Sequence, residues 1–597
     1  MSIIVQKFGG TSVADSEKIL AAARKAVRAQ KEGHQVVMVV SAMGKNTDLL
    51  VDLARQIHQD PPAREMDMLL STGEQVSVAL MAMAIDSLGH QAISLTGAQI
   101  GIKTDSTFTK ARIRSITTDR LRQALDEGKI VIAAGFQGID EGFNITTLGR
   151  GGSDTTAVAL AAALHADLCE IFTDVDGVYT TDPRLVPDAR RVLRISYDEM
   201  LELASVGAGV MHNRSIEFAK KFNVPVHVRS SFSDNPGTLI CAQPESSDQP
   251  VCGAALVRNE ARVTLLGVPD RPGVAAAVFS RVAARNVAMD MIVQNVGENG
   301  LAEISFTVFR DDLPTTLKAV EEATREVGAA GYNYDDNVSK VSVVGLGMAT
   351  QPGVAQRMFQ VLAEKGINIL MISTSEIKIS VLVDRDAAVD ALRTVHEVFQ
   401  LEVPPACESL EAAGVILAGR AASAAVNNTA EIVARMQGME DLIIEGIALD
   451  ESQARVTLVG VPDRPGLAAH VFEQVAAGGI VVDMIVQSVG REGHATLSFT
   501  MPQPDLEKGL TIAAGLAKRF NCGKPTSCPR VAKLAVSGTG MRSHTGVARR
   551  LFQCLADEGI NVDMISTSEM QINVVVDGGQ GQQAREALRR KFADVML

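Results

Sequence analysis

The feature that most restricts the fold is a repetition. Residues 262–279 read RVTLLGVPDRPGVAAAVF and residues 455–472 read RVTLVGVPDRPGLAAHVF. The offset, 455 − 262 = 193, also links Met348 to Met541 and ISTSE at 372–376 to ISTSE at 565–569. A unit spanning 251–401 is therefore repeated over 444–597, and 402–443 between them is an unrepeated linker with some helix. Each unit is itself double. Pro272-Gly273 answers to Pro352-Gly353, and Met291-Ile292 to Met371-Ile372, at 352 − 272 = 80. Each half reads strand, Pro-Gly loop, amphipathic helix, then strands, a module of about 75 residues. Four copies are an array of small domains rather than a solenoid. Modules this small bury little surface alone, so edge-to-edge pairing is expected.

The first 241 residues follow another pattern. Apolar runs Ile3–Phe8, Gln35–Val40, Ala92–Leu95, Ile130–Phe136, Asp167–Phe172 and Val224–Val228 alternate with helical stripes, such as Ile19, Leu20, Ala23 and Val27. That alternation predicts a mostly parallel α/β sheet between helices. Its strands end in polar, glycine-rich turns: KFGGTS at 7–12, SAMGKNTD at 41–48, LGRGGSDTTA at 148–157 and TDVDGVYTTDPR at 173–184. Glycines let a backbone approach an anion, and a helix N-terminus aims its amides at one. Lys7 adds a point charge and Arg150 a planar fork. Lys7, Ser41, Arg150, Asp154 and Asp174 all fall at the carboxyl ends of strands, where such sheets bind ligands. Glu74 sits among small and apolar residues in a long helix and needs a partner, either a substrate ammonium or a structural cation. The loop at 173–184 suits a nucleotide edge, though alone it is simply acidic. Asp270 and Asp463, Gln294 and Gln487, and Asn368 and Asn561 recur at matching repeat positions. They suit either the ammonium and carboxylate of a free amino acid or ordinary capping.

Composition narrows the function. Among 597 residues the net charge is −13, with no Trp and 4% aromatics, which argues against nucleic-acid binding. Seven scattered cysteines without a CxxC pair suggest reduced thiols and a cytoplasmic setting. No metal site is expected. Charged and polar residues break every long apolar stretch, so no membrane span is expected.

KFGGTS, STGEQ, TLGRGGSDTTA and TDVDGVYTTDPR together resemble aspartate kinase of the amino-acid kinase superfamily, and GVPDRPG and ISTSE resemble its ACT regulatory domains. The resemblance spans nearly the whole chain; the second ACT pair is a departure from most members. It implies an amino-acid kinase fold over 1–241, followed by four ACT-like βαββαβ modules. It implies phosphorylation of the L-aspartate β-carboxylate by ATP with Mg²⁺, on the route to lysine, threonine and methionine. Lysine and threonine are the implied effectors, and a homo-oligomer, a dimer, would form through the ACT domains. Carried over by motif, Lys7, Phe8, Gly9, Gly10, Ser41, Thr173, Asp174, Tyr179, Thr180, Asp182 and Arg184 would hold the nucleotide. Ser41, Thr47, Glu74, Arg150, Gly151, Gly152 and Ser153 would hold aspartate, with Glu74 on its ammonium and Arg150 on a carboxylate. Asp154 would organise Lys7. Effector contacts would come from Asp270, Gly273, Ala275, Gln294, Asn368 and Ile369, and from Asp463, Gly466, Ala468, Gln487, Asn561 and Val562. Some members carry Lys where Gly209 stands here, so any contact of that Lys does not transfer.

Overall fold

A computed structural model describes residues 2–206, 210–246, 248–296, 300–349, 351, 353–405, 438–489, 493–541, 544 and 546–596. Most of the expected 402–443 linker, and Gly209, lie outside the described residues.

The N-terminal lobe is built on eight strands. From one edge they run Arg194–Ser196, Thr238–Cys241, Val226–Ser230, Leu168–Thr173, Ile3–Phe8, Gln35–Val40, Ile130–Ala134 and Ala92–Leu95. Neighbours are parallel throughout except Val226–Ser230 against Thr238–Cys241. Parallel strands require crossover helices on both faces, which is why QVVMVV is apolar without alternation. Val36, Met38 and Val40 pack against helices Ser16–Lys31 and Ala63–Ser87, whereas Val37 and Val39 meet helix Gly152–Leu164. A smaller four-stranded sheet, Ile102–Thr104, Ile113–Ile116, Gln137–Ile139 and Ile145–Thr147, extends this lobe.

Helix Ala63–Ser87 is long and apolar enough, by length and composition alone, to cross a membrane. In this fold half of that apolar window is buried inside the protein. Its Asp67 is fully buried and accepts the Thr109 and Thr147 amides and the Thr147 hydroxyl. Three such bonds compensate a buried carboxylate and fix the helix to strand Ile145–Thr147.

The repeated half forms a closed, barrel-like ring of twelve strands. Its modules do not follow one another as simple consecutive half-repeats. Strand Gly253–Pro269 pairs through its first part with residues 340–344 and through its second part with residues 331–335. One module is thus inserted into the sequence of the next, and the long strand Gly331–Val344 serves both. Strand Ile443–Pro462 plays the same part in the second unit.

Edge pairing occurs, but across the repeat. Met289–Val296 pairs with Met564–Thr567, and Met371–Thr374 with Ile485–Val489. Residues one repeat apart face each other there: the Ser373 and Ser566 hydroxyls lie 3.3 Å apart, and Asn295 Nδ2 donates to Ser488 Oγ at 3.0 Å. The two units are therefore related by an internal pseudo-twofold axis, and the ISTSE motifs stand beside it. Met291, Met371, Met484 and Met564, one from each module, share a buried cluster. The expected homo-oligomer through the ACT domains would have to use a face other than the strand edges Met289–Val296 and Met371–Thr374, which are paired within the chain.

Ring and lobe share buried polar contacts. Lys378 pairs with Glu202 at 2.7 Å, the Glu569 amide donates to Glu202 at 3.0 Å, and Asn213 donates to Glu569 at 2.9 Å.

Candidate active site

A cavity of about 980 Å³ opens at the carboxyl ends of the central strands. Lys7, the next-to-last residue of the first strand, extends into it and lies 2.5 Å from Asp154 in the first turn of helix Gly152–Leu164. The turn before that helix needs its glycines. Gly149 (φ 77°) and Gly151 (φ 70°) are left-handed, and a Cβ on Gly151 would strike the His212 side chain. A Cβ on Gly10 would stand 2.8 Å from the Ala42 carbonyl oxygen. Gly9 also lines the cavity, but its amide donates to the Phe172 carbonyl at 3.3 Å.

Glu74 reaches the same cavity from helix Ala63–Ser87. It is 3% exposed, accepts the Ala42 amide on one oxygen at 3.2 Å, and has no partner on the other. Burial pushes this carboxyl up to about 7. Arg150, Ser41, Thr47, Gly151, Gly152 and Ser153 complete the wall named from the sequence. The arrangement brings Lys7, Arg150, a helix N-terminus and an under-satisfied carboxylate to one space.

Other expected residues are placed elsewhere. Phe8 is buried and stacks on Phe172 at 4.7 Å, so only its backbone borders the turn. Thr173 and Asp174 bond each other at the tip of the neighbouring strand. Tyr179 donates to Asp176 at 2.8 Å, and Arg184 forks onto Asp182 at 2.8 Å. Thr180 is fully buried, with its hydroxyl 3.0 Å from His396 of the ring. Its hydroxyl joins lobe to ring. None of Thr173, Asp174, Tyr179, Thr180, Asp182 or Arg184 lines the cavity.

The sequence reading missed several wall residues. Arg112, His212, Arg214, Glu440, Thr539 and His544 all line the cavity, the last three from beyond the N-terminal lobe. Burial lowers the His212 pKa, with the Arg214 charge adding to it. No motif or periodicity marks these residues; His212 and Arg214 stand together in GAGVMHNR at 207–214.

Residues 2–230 match the amino acid kinase family, and 262–325, 341–399 and 534–592 match ACT domains. An aspartokinase from Mycolicibacterium smegmatis is 52% identical over 408 residues, covering 67% of this chain and 97% of that protein. One from Pseudomonas aeruginosa is 51% identical over 407 residues, covering 68% and 99%. The chain belongs to the aspartate kinase family. Among solved structures, the aspartate kinase from Synechocystis is 41% identical and covers 99% of this chain and 98% of its own, with a TM-score of 0.52. E. coli aspartokinase III in complex with aspartate and ADP is 28% identical, covering 66% of this chain and 99% of its own, with a TM-score of 0.56.

In this aspartate kinase the expected effector residues meet across the ACT interfaces, each set drawn from both repeat units. Asn561 donates to Asp270 at 2.7 Å, and Gln294 donates to the Val562 carbonyl at 2.6 Å. Gly273 (φ 93°) caps the adjacent helix Val274–Ala283, and with Ala275 it lines a cleft of about 20 Å³, room for roughly one water. Across the pseudo-twofold, Asn368 donates to Asp463 at 2.9 Å and Gln487 to the Ile369 carbonyl at 2.8 Å. Gly466 (φ 90°) caps helix Leu467–Ala477, in whose first turn Ala468 is buried. The side-chain amide oxygens of Gln294 and Gln487 are buried without partners. The interfaces are not copies. Asp563, paired with Arg455 at 2.9 Å, has Leu370 as its counterpart, and Arg262 finds Asp335 only at 3.9 Å.

Proposed function

We propose that this aspartate kinase transfers the γ-phosphoryl group of MgATP to the β-carboxylate of L-aspartate, giving 4-phospho-L-aspartate and ADP. The observation that carries the reading is the convergence of Lys7, Asp154, Glu74 and Arg150 on one cavity. A carboxylate is already a nucleophile, so no strong base is required. The difficulty is bringing two anions into line, and it is met by fixed positive charge. Lys7, oriented by Asp154, would neutralise charge on the transferring phosphoryl group. Mg²⁺ enters as part of the nucleotide substrate, and among the described residues no cluster of three His, Cys, Asp or Glu donors stands ready to hold one. The unpartnered Glu74 oxygen would receive the aspartate ammonium, and Arg150 a carboxylate. Aspartate-dependent ADP release, compared with glutamate and N-acetylglutamate, tests this; turnover with glutamate alone would overturn it.

Regulation by lysine, threonine or both is part of the same proposal. E. coli aspartokinase III has also been solved with lysine and aspartate, at 27% identity and a TM-score of 0.53. In this chain an effector would separate Asp270 from Asn561, or Asp463 from Asn368, offering its ammonium to the carboxylate and its carboxylate to the helix N-terminus.

A further inference from the structure

The chain segment leading into the second ACT unit lies on the kinase lobe. Lys221 Nζ donates to the Met439 carbonyl at 2.9 Å and the Gly438 carbonyl at 3.2 Å. The Gly438 amide donates to the Arg114 carbonyl at 2.9 Å, and Arg114 pairs with Asp441 at 2.6 Å. Met439 is buried in the lobe's own core. Between these anchors Glu440 points at the active-site wall, its side chain only 7% exposed.

One oxygen of Glu440 accepts from Arg214 Nε; the other accepts from Arg214 Nη2 at 2.7 Å and from the Ile113 amide. The same guanidinium donates to the carbonyls of Ala111, at 2.6 Å, and Leu148. Leu148 directly precedes Gly149 and Arg150. Arg214 is thus a brace whose ends are the Glu440 carboxylate and the turn that presents Arg150. Without Glu440 it would be a half-buried cation facing carbonyls alone, and it would turn toward other anions in the cavity.

We propose that Glu440 is a positioning residue for aspartate: through Arg214 it sets the Leu148–Arg150 turn, and it ties that turn to the ACT ring. The proposal rests on the reading of Arg150 as a partner of an aspartate carboxylate. The link to the ring is covalent and short. Glu440 is followed almost at once by strand Ile443–Pro462, and the residue after that strand is Asp463 of an effector interface. One continuous strand therefore connects an effector carboxylate contact to the catalytic turn, and a shift of the strand moves Glu440.

The test is steady-state kinetics of full-length Glu440→Ala and Glu440→Asp, with melting temperatures recorded alongside. The proposal expects KM for aspartate to rise about tenfold in Glu440→Ala, the scale of one charge-assisted contact. It expects kcat within about twofold, KM for ATP unchanged, weakened inhibition by lysine and threonine, and partial rescue in Glu440→Asp. An unchanged KM for aspartate overturns it. So does a loss in which kcat and both KM values move together, the mark of a merely structural role. If Glu440→Ala fails to fold, the isosteric Glu440→Gln is read by the same criteria. An unaltered enzyme without aspartate-dependent turnover would instead defeat the reading of the site itself.

Discussion

Lys7 Nζ lies 2.5 Å from the Asp154 carboxylate, joining the first strand of the sheet to the first turn of the buried helix that follows the glycine turn. Both side chains are largely shielded, so the pair fixes the ammonium where a phosphoryl group would arrive. Replacing Lys7 by Ala removes one preorganised positive charge. Turnover should fall about 10²- to 10³-fold while KM for aspartate changes little. Initial-rate kinetics checks this, and normal turnover would remove Lys7 from the mechanism.

The proposed role of Glu74 makes activity depend on pH. Its carboxyl is raised to about 7 by burial, and only the ionised form would attract the ammonium of the proposed aspartate substrate. The kcat/KM for aspartate should therefore fall as pH drops through about 7, and Glu74→Gln should lose this limb along with most aspartate affinity.

The same shift has a stability consequence of opposite sense. The folded enzyme holds this proton more tightly than the unfolded chain, whose value is near 4.5. The resulting stabilisation is full below about 4.5 and is lost as pH rises through about 7, by up to about 3 kcal/mol. Glu74→Gln should melt higher than the parent at pH 8, with the gap closing toward pH 5. Calorimetry at the two pH values decides it.

The effector interfaces differ in charge through Asp563 and Leu370, so calorimetric titration of the full chain should give two binding events of unequal affinity. Asp270→Asn should remove one and Asp463→Asn the other, with the kinase still active. One event lost from both variants would show that a single interface binds.

The ring is closed by pairings between units. A chain ending at residue 405, similar in length to the matched relatives, would expose the edges Met289–Val296 and Met371–Thr374. It should associate with a second copy through those edges, since unpaired strands recruit partners. Sedimentation should show a concentration-dependent increase in mass, and a monomer at all concentrations would contradict the ring's role.

The glycine turns and their convergence were legible in the sequence because each is local: a strand, a glycine and a helix start within ten residues. The 193-residue offset revealed the duplication for the same reason. What the sequence concealed depends on long-range pairing. Thr180 sits in a loop rich in candidate ligands, yet its hydroxyl meets His396, 216 residues away. Asp182 and Arg184 neutralise each other, which no pattern of polar residues predicts. The crossed modules arise because one long strand serves two of them, whereas a repeat period suggests consecutive units. Glu440 belongs to a stretch with no repeat partner and no periodicity, so its place against Arg214 is visible only in three dimensions.

The most direct test of one cavity holding aspartate between Glu74 and Arg150 is ADP release measured against aspartate concentration in Arg150→Ala and Glu74→Gln. Each should raise KM for aspartate about 10- to 100-fold with KM for ATP unchanged. An aspartate dependence identical to the parent's in both variants would contradict the account.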